Sequence, residues 1–174
     1  MKRRLLLKGL AMAVTTFIPI VSTGPIPAYG GSSDSETAYI FDHLVDHPLQ
    51  QRELLYRHPT LDLVAHQRCV DMARRGYEGH VDPEGREANW HVCQAGYKLV
   101  YKCEGNNIES LAWGGNGEPI GAWEAWMGSE AHRTHLLGLV DTFRKQTMVG
   151  VGHYHLPESR MRHYWCVLSC PPEL

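Results

Sequence analysis

Apolar side chains recur at Leu61, Val64, Ala65, Cys69, Met72 and Ala73, the spacing of one helix face, and Gly76 follows where such a helix would stop. A helix over 61–75 with this stripe needs an apolar layer to lie against. The C-terminal part of the chain supplies one. Met148 to Leu156 and Met161 to Ser169 read as two strands, and Pro157-Glu158-Ser159-Arg160 between them suits a hairpin.

The remaining elements fall before and between these two features. Ile40, Phe41, Leu44 and Val45 give 36–45 a helical pattern that Pro48 interrupts, and 50–56 is expected as a second short helix. Residues 88–94 form a short helix ended by Gly96, 97–103 read as a strand, and 105–110 begin an irregular polar stretch. Gly114-Gly115-Asn116-Gly117 is a loop. Pro119 opens a helix through Met127 with Ile120, Trp123, Trp126 and Met127 as its stripe. Ser129 caps a further helix that bears His132, Arg133 and His135 and ends at Gly138. Helices, strand, helix and hairpin in that order make an α+β layer fold.

The N-terminus reads as an export signal over 1–30. Lys2, Arg3, Arg4 and Lys8 make 1–8 a basic segment, an uncharged run covers 9–21, and Ala28-Tyr29-Gly30 offers small residues at a cleavage site. Arg3-Arg4 resembles a twin-arginine signal, and an ordinary secretion signal accounts for it equally. The uncharged run is shorter than the about 20 residues of a membrane span, so no stable span is expected in the mature chain. Residues 31–53 are then a leader and N-terminal helix, and 54–174 the main domain. Removing Lys2, Arg3, Arg4 and Lys8 leaves thirteen of the 17 basic residues against 19 acids, a net charge of −6. A chain of that charge lacks the basic face of a nonspecific nucleic-acid binder.

Export to the periplasm or the extracellular space makes disulfides plausible for Cys69, Cys93, Cys103, Cys166 and Cys170. No CxxC pair marks a thiolate zinc site. Cys69 lies on the apolar helix face and reads as a buried free thiol. Cys166 and Cys170 share a strand face about 13 Å apart, too far to bond. Cys93 with Cys103 is one candidate short-loop bridge, and the sequence leaves the pairing open.

Chemistry-bearing residues gather in two histidine motifs, Gly79-His80-Val81-Asp82-Pro83-Glu84-Gly85 and Trp126-Met127-Gly128-Ser129-Glu130-Ala131-His132-Arg133. Two imidazoles meeting in a cleft hold a metal or move protons near neutral pH. A catalytic zinc takes three protein ligands, so His80 and His132 need Glu104, Glu109, His135 or water to complete a site. Ser129 and His132 are close enough to form a nucleophile and base, but no nucleophile elbow surrounds Ser129, and the helix cap is the better reading. His153 and His155, two apart on a strand with His163 across the hairpin, read as a solvated strand face. Trp123, Trp126 and Trp165 are expected in the core, and Trp113 on the surface.

These motifs carry a resemblance. The Gly76-Tyr77-Glu78-Gly79-His80 turn, Asp82-Pro83-Glu84-Gly85, Ala95-Gly96-Tyr97, Gly105-Asn106-Asn107-Ile108, and Trp126-x-x-Ser129-x-x-His132-Arg133-x-x-Leu136-Leu137 occur in order. With Val149-Gly150-Val151-Gly152 and Tyr164-Trp165 they make the chain, from about Leu54 to Ser169, similar to the CAP domains. That group holds cysteine-rich secretory proteins, insect venom antigens and plant pathogenesis-related proteins, and the likeness is closest to its bacterial SCP-like branch. The resemblance implies a three-layer α-β-α sandwich with a mainly antiparallel central sheet and a cleft. In many members the cleft carries two histidines and two acids, and some bind Zn2+ there. His80 and His132 match the histidines. Asn106 stands where the first Glu is expected and Ser129 where animal and plant members often have the second, so both acids are altered. Glu109, three residues beyond Asn106, and Glu104 are the candidate replacements.

The cleft expected is therefore His80, Asn106, Glu109, Ser129 and His132, with His80 and His132 as metal ligands and His80, His132 and Glu109 as the catalytic candidates. The leading expectation is a non-catalytic module that binds a lipid, sterol, glycan or protein, or a divalent metal such as Zn2+, at the cell envelope. The alternatives are a metal-assisted hydrolase with Glu109 as general base, and a protein-interaction domain.

Overall fold

A computed structural model describes residues 34–173. The export signal read over 1–30 lies outside the described residues. Four strands form one sheet in the order β1-β3-β4-β2. They are β1 (Tyr56–Arg57), β2 (Glu109–Trp113), β3 (Met148–His155) and β4 (His163–Cys170). The β3–β4 hairpin and the β2–β4 pair are antiparallel, and only the short β1 runs parallel to β3. The helices are α1 (Asp34–Asp46), α2 (Pro59–Arg75), α3 (Ala88–Gln94), α4 (Pro119–Gly128), α5 (Glu130–Leu136) and α6 (Asp141–Arg144).

Alternation along β4 separates two cores. Tyr164, Cys166, Leu168 and Cys170 face α2 and α3, where Leu61, Val64, Ala65, Cys69, Met72, Ala73 and Val92 meet them. Trp165 and Val167 face the other way, onto Ile40 and Leu44 of α1, Trp123 and Trp126 of α4, and Leu136 of α5. Helices on both faces of a mainly antiparallel sheet make the expected α-β-α sandwich. The expected apolar stripe of α2 is buried in full, and Gly76 ends the helix in the left-handed region at φ 69°. In α4 the stripe is shifted, because Ile120 is exposed and Ala122 buried in its place.

Residues 97–103, expected as a strand, are not one. Gly96 turns the chain at φ 88°, a disulfide joins Cys93 to Cys103, and Tyr97 plugs the core with its hydroxyl donating to the Pro171 carbonyl at 2.6 Å. The strand instead begins at Glu109, inside the stretch expected to be irregular. Residues 50–56 are not a helix either. They form a strap over the end of α5, where the Arg52 guanidinium donates to the carbonyls of His135, Leu136 and Phe143 and the Gln51 amide to that of Leu137. The last carbonyls of a helix need such donors, and the strap supplies them. Burial lowers Arg52 to about 10. Cys69, Cys166 and Cys170 are free and buried.

Candidate functional site

The cleft lies between the start of β2, the turn after α2 and one face of α5. Its volume is about 160 Å³, and His80, Asn106, Glu109 and His132 line it together with Asn107, Ser110, Ala131, His135 and Phe143. Each side chain arrives by a traceable local device. Asn106 Oδ1 accepts from the backbone amides of Ile108 and Glu109 at 3.3 and 3.0 Å, a side-chain turn that starts β2 and aims Glu109 inward. His80 is held by its own carbonyl and that of Gly79, both of which accept from Arg68. His132 and His135 project from α5, three residues apart and so roughly on one face.

Glu109 is the buried centre. Its Oε1 accepts from Arg68 Nε at 2.8 Å, and its Oε2 meets His80 Nδ1 at 2.8 Å. Burial alone would raise its pKa, but the His80 hydrogen bond and the Arg68 guanidinium outweigh burial and hold it below the ordinary carboxylate value. An ionised Glu109 can only accept, so His80 Nδ1 donates to it and Nε2 is the ring nitrogen left for the cleft. Arg68 itself is 1 % exposed, and it also donates to the Tyr77 hydroxyl, which donates onward to Asp71. Burial, and then the nearby His80, lower His132, so it is neutral at pH 7. His135 is pushed down to about 3 by burial and by Arg52, and its Nδ1 lies 2.7 Å from Ser110 Oγ. The buried Gln146 side chain lies beside His135 and opposes this lowering.

Ser129, expected in the cleft, and Glu104, a candidate replacement acid, stand outside this arrangement. Ser129 occupies the N-cap position of α5, yet its side chain makes no capping bond and does not line the cleft. Glu104 is exposed, and its contact with the site's surroundings is a carbonyl that accepts from Asn89. The expected solvated face at His153 is also overturned. His153 is 2 % exposed, stacks on Trp165 at 3.8 Å and bonds Glu36 of α1 at 2.7 Å. α1 covers this face of β3 at His153, whereas His155, two residues on, is exposed as expected.

Sequence reasoning missed Arg68, Ser110 and the burial of His135. One signal was available for Arg68. It interrupts the apolar face of α2, and a charge in that place requires a buried partner.

The expected zinc would need a third protein ligand beside His80 and His132. Both Glu109 oxygens are engaged, and His135 is the remaining imidazole that lines the cleft. Among the described residues, no group of three or more His, Cys, Asp or Glu side chains is gathered to hold a metal ion.

Two solved structures share the architecture. An outer surface protein from Borrelia burgdorferi superposes with a TM-score of 0.61 at 17% identity, over 82% of this chain and 97% of that one. An SCP-domain extracellular protein from Bacillus anthracis gives 0.57 at 21% identity, over 78% of this chain and 40% of that one. No protein-family model matches the sequence, and no curated protein matches it either. At these identities the likeness establishes the fold alone, the α-β-α sandwich that this chain shares with the SCP domain.

Proposed function

We propose that this chain is an exported SCP-type domain whose histidine cleft binds the polar end of a small ligand and does not hydrolyse it. The observation that carries this reading is the state of Glu109. A general base needs a pKa near the working pH and a free oxygen facing substrate. Glu109 is held below its ordinary value and spends one oxygen on Arg68 and the other on His80. What remains at the cleft is a set of hydrogen-bonding groups, the His80 and His132 rings, the Asn106 and Asn107 amides and Ser110. The volume of about 160 Å³ suits a terminal sugar residue or the polar end of an amphiphile, and is small beside the 300–1,000 Å³ of sites that enclose a whole drug-sized ligand. Surface and extracellular neighbours support export.

Native mass spectrometry of protein incubated with envelope lipid and glycan extracts tests the reading. Wild type is expected to retain an adduct that His80→Ala and His132→Ala both lose while staying folded. Added zinc is expected to leave the thermal midpoint unmoved. Stoichiometric zinc lost in His132→Ala, or ester or peptide hydrolysis lost in Glu109→Gln, would install the metal-assisted hydrolase in place of the binding module.

A further inference from the structure

A second recess, of about 230 Å³, opens between the end of β2 and the start of α4, and it shares no lining residue with the histidine cleft. Trp113 forms one wall and is 41% exposed, whereas Trp123, Trp126 and Trp165 are all buried. The opposite wall is a bare strip of α4 made by Gly121, Ala122 and Ala125. Gly121 has no positive φ, and a Cβ built there meets nothing within 4 Å. Neither backbone geometry nor packing therefore calls for glycine, which weakens a helix relative to alanine. What the missing side chain leaves is open room facing an indole.

The rim is polar and set in place. Gly114, Gly115 and Gly117 have φ of 87°, 77° and 89°, a left-handed path that fixes the loop, and the Gly114 amide donates to the His163 carbonyl at 2.9 Å. Asn116 Oδ1 accepts from the Glu118 amide, which leaves the side-chain NH2 as a donor. Glu118 sits at the N-cap of α4 without a side-chain capping bond, so its exposed carboxylate is an unengaged acceptor. Among the described residues, no Lys, Arg or His lines the recess, which argues against a phosphate or carboxylate ligand.

We propose that this slot binds one pyranose ring of a neutral or N-acetylated glycan. The C–H face of the sugar stacks on the Trp113 indole, and its hydroxyls bond Asn116 and Glu118. A proline ring would also stack on the indole, but it brings no hydroxyls for the two polar side chains.

The test is an NMR titration of the mature chain with glucose, N-acetylglucosamine and its β-linked trimer. Saturable shifts are expected at the Trp113 indole N–H and the amides of 114–118 with at least one sugar. Trp113→Ala is expected to weaken binding by about tenfold or more. Gly121→Leu is expected to do the same by filling the slot, with a thermal midpoint at or above wild type. In His80→Ala the shifts at Trp113 and 114–118 are expected to persist, whereas any sugar shifts at the histidine cleft are lost, which separates the two sites. The proposal is overturned if no sugar gives saturable shifts, if the shifts survive both slot variants, or if only a polyproline peptide saturates the site.

Discussion

Glu109 links the interior to the cleft, because one of its oxygens belongs to a buried guanidinium and the other to a ring at the surface. Removing its charge strands Arg68. Breaking a buried pair by deleting one partner costs about 3–5 kcal/mol, so Glu109→Gln is expected to lower the urea-unfolding free energy by that order. Arg68→Met together with Glu109→Gln should recover part of the loss, since no unpaired charge remains. The same pair sets an acid limit. The folded pKa of Glu109 lies below its unfolded value of about 4.3. Its stabilisation is thus complete above that value and is lost as pH falls from there through the folded pKa. Denaturation curves between pH 6 and 3 should show this loss in wild type and less of it in the double variant.

At the scale of elements, legibility followed burial chemistry. The long helix α2 and the hairpin β3–β4 were readable because their inward residues are apolar at regular spacing. β2 was missed because its first two inward residues, Glu109 and Ser110, are polar and are satisfied by Arg68 of α2, by His80 and by His135 of α5. A strand whose core-facing groups are paired at long range looks like a loop in one dimension. The strap over 50–56 failed for the opposite reason, since its order comes from α5 carbonyls that no local pattern foretells. In the cleft, the two histidines were legible by motif, whereas Arg68 and the role of Asn106 as a turn former needed the fold.

The hairpin also carries a pH response of its own. His153 meets Glu36 of α1 and His163 of β4, and His163 stacks on His155 at 4.1 Å beside Arg162. Burial, with the neighbouring positive groups, lowers both His153 and His163 despite Glu36. The unfolded chain then binds more protons below its histidine pKa of about 6.5, so stability falls as pH drops from that value toward the folded pKa values. A lower urea midpoint at pH 5 than at pH 7.5 is expected, with a flatter dependence in His153→Gln.

Over the whole molecule, α2 and β3 meet backbone to backbone. A Cβ on Gly150 would lie 2.1 Å from the carbonyl carbon of Leu61, and one on Gly152 would lie 2.3 Å from that of Ala65. Because α2 also carries Arg68, the depth at which it sits on the sheet sets where Glu109 and His80 point. Gly150→Ala must push the helix outward, and overpacking of this kind costs about 1–3 kcal/mol. Calorimetry should record the lower thermal midpoint, and the His80 ring resonances should move with it although the substitution is remote from the cleft.

Every thiol not in the Cys93–Cys103 bridge is sealed within the molecule, and burial raises Cys69, Cys166 and Cys170 above the ordinary thiol value. The native protein is therefore silent to a maleimide, and each cysteine becomes a built-in clock. The rate at which it is alkylated counts how often the layer between α2 and the sheet opens.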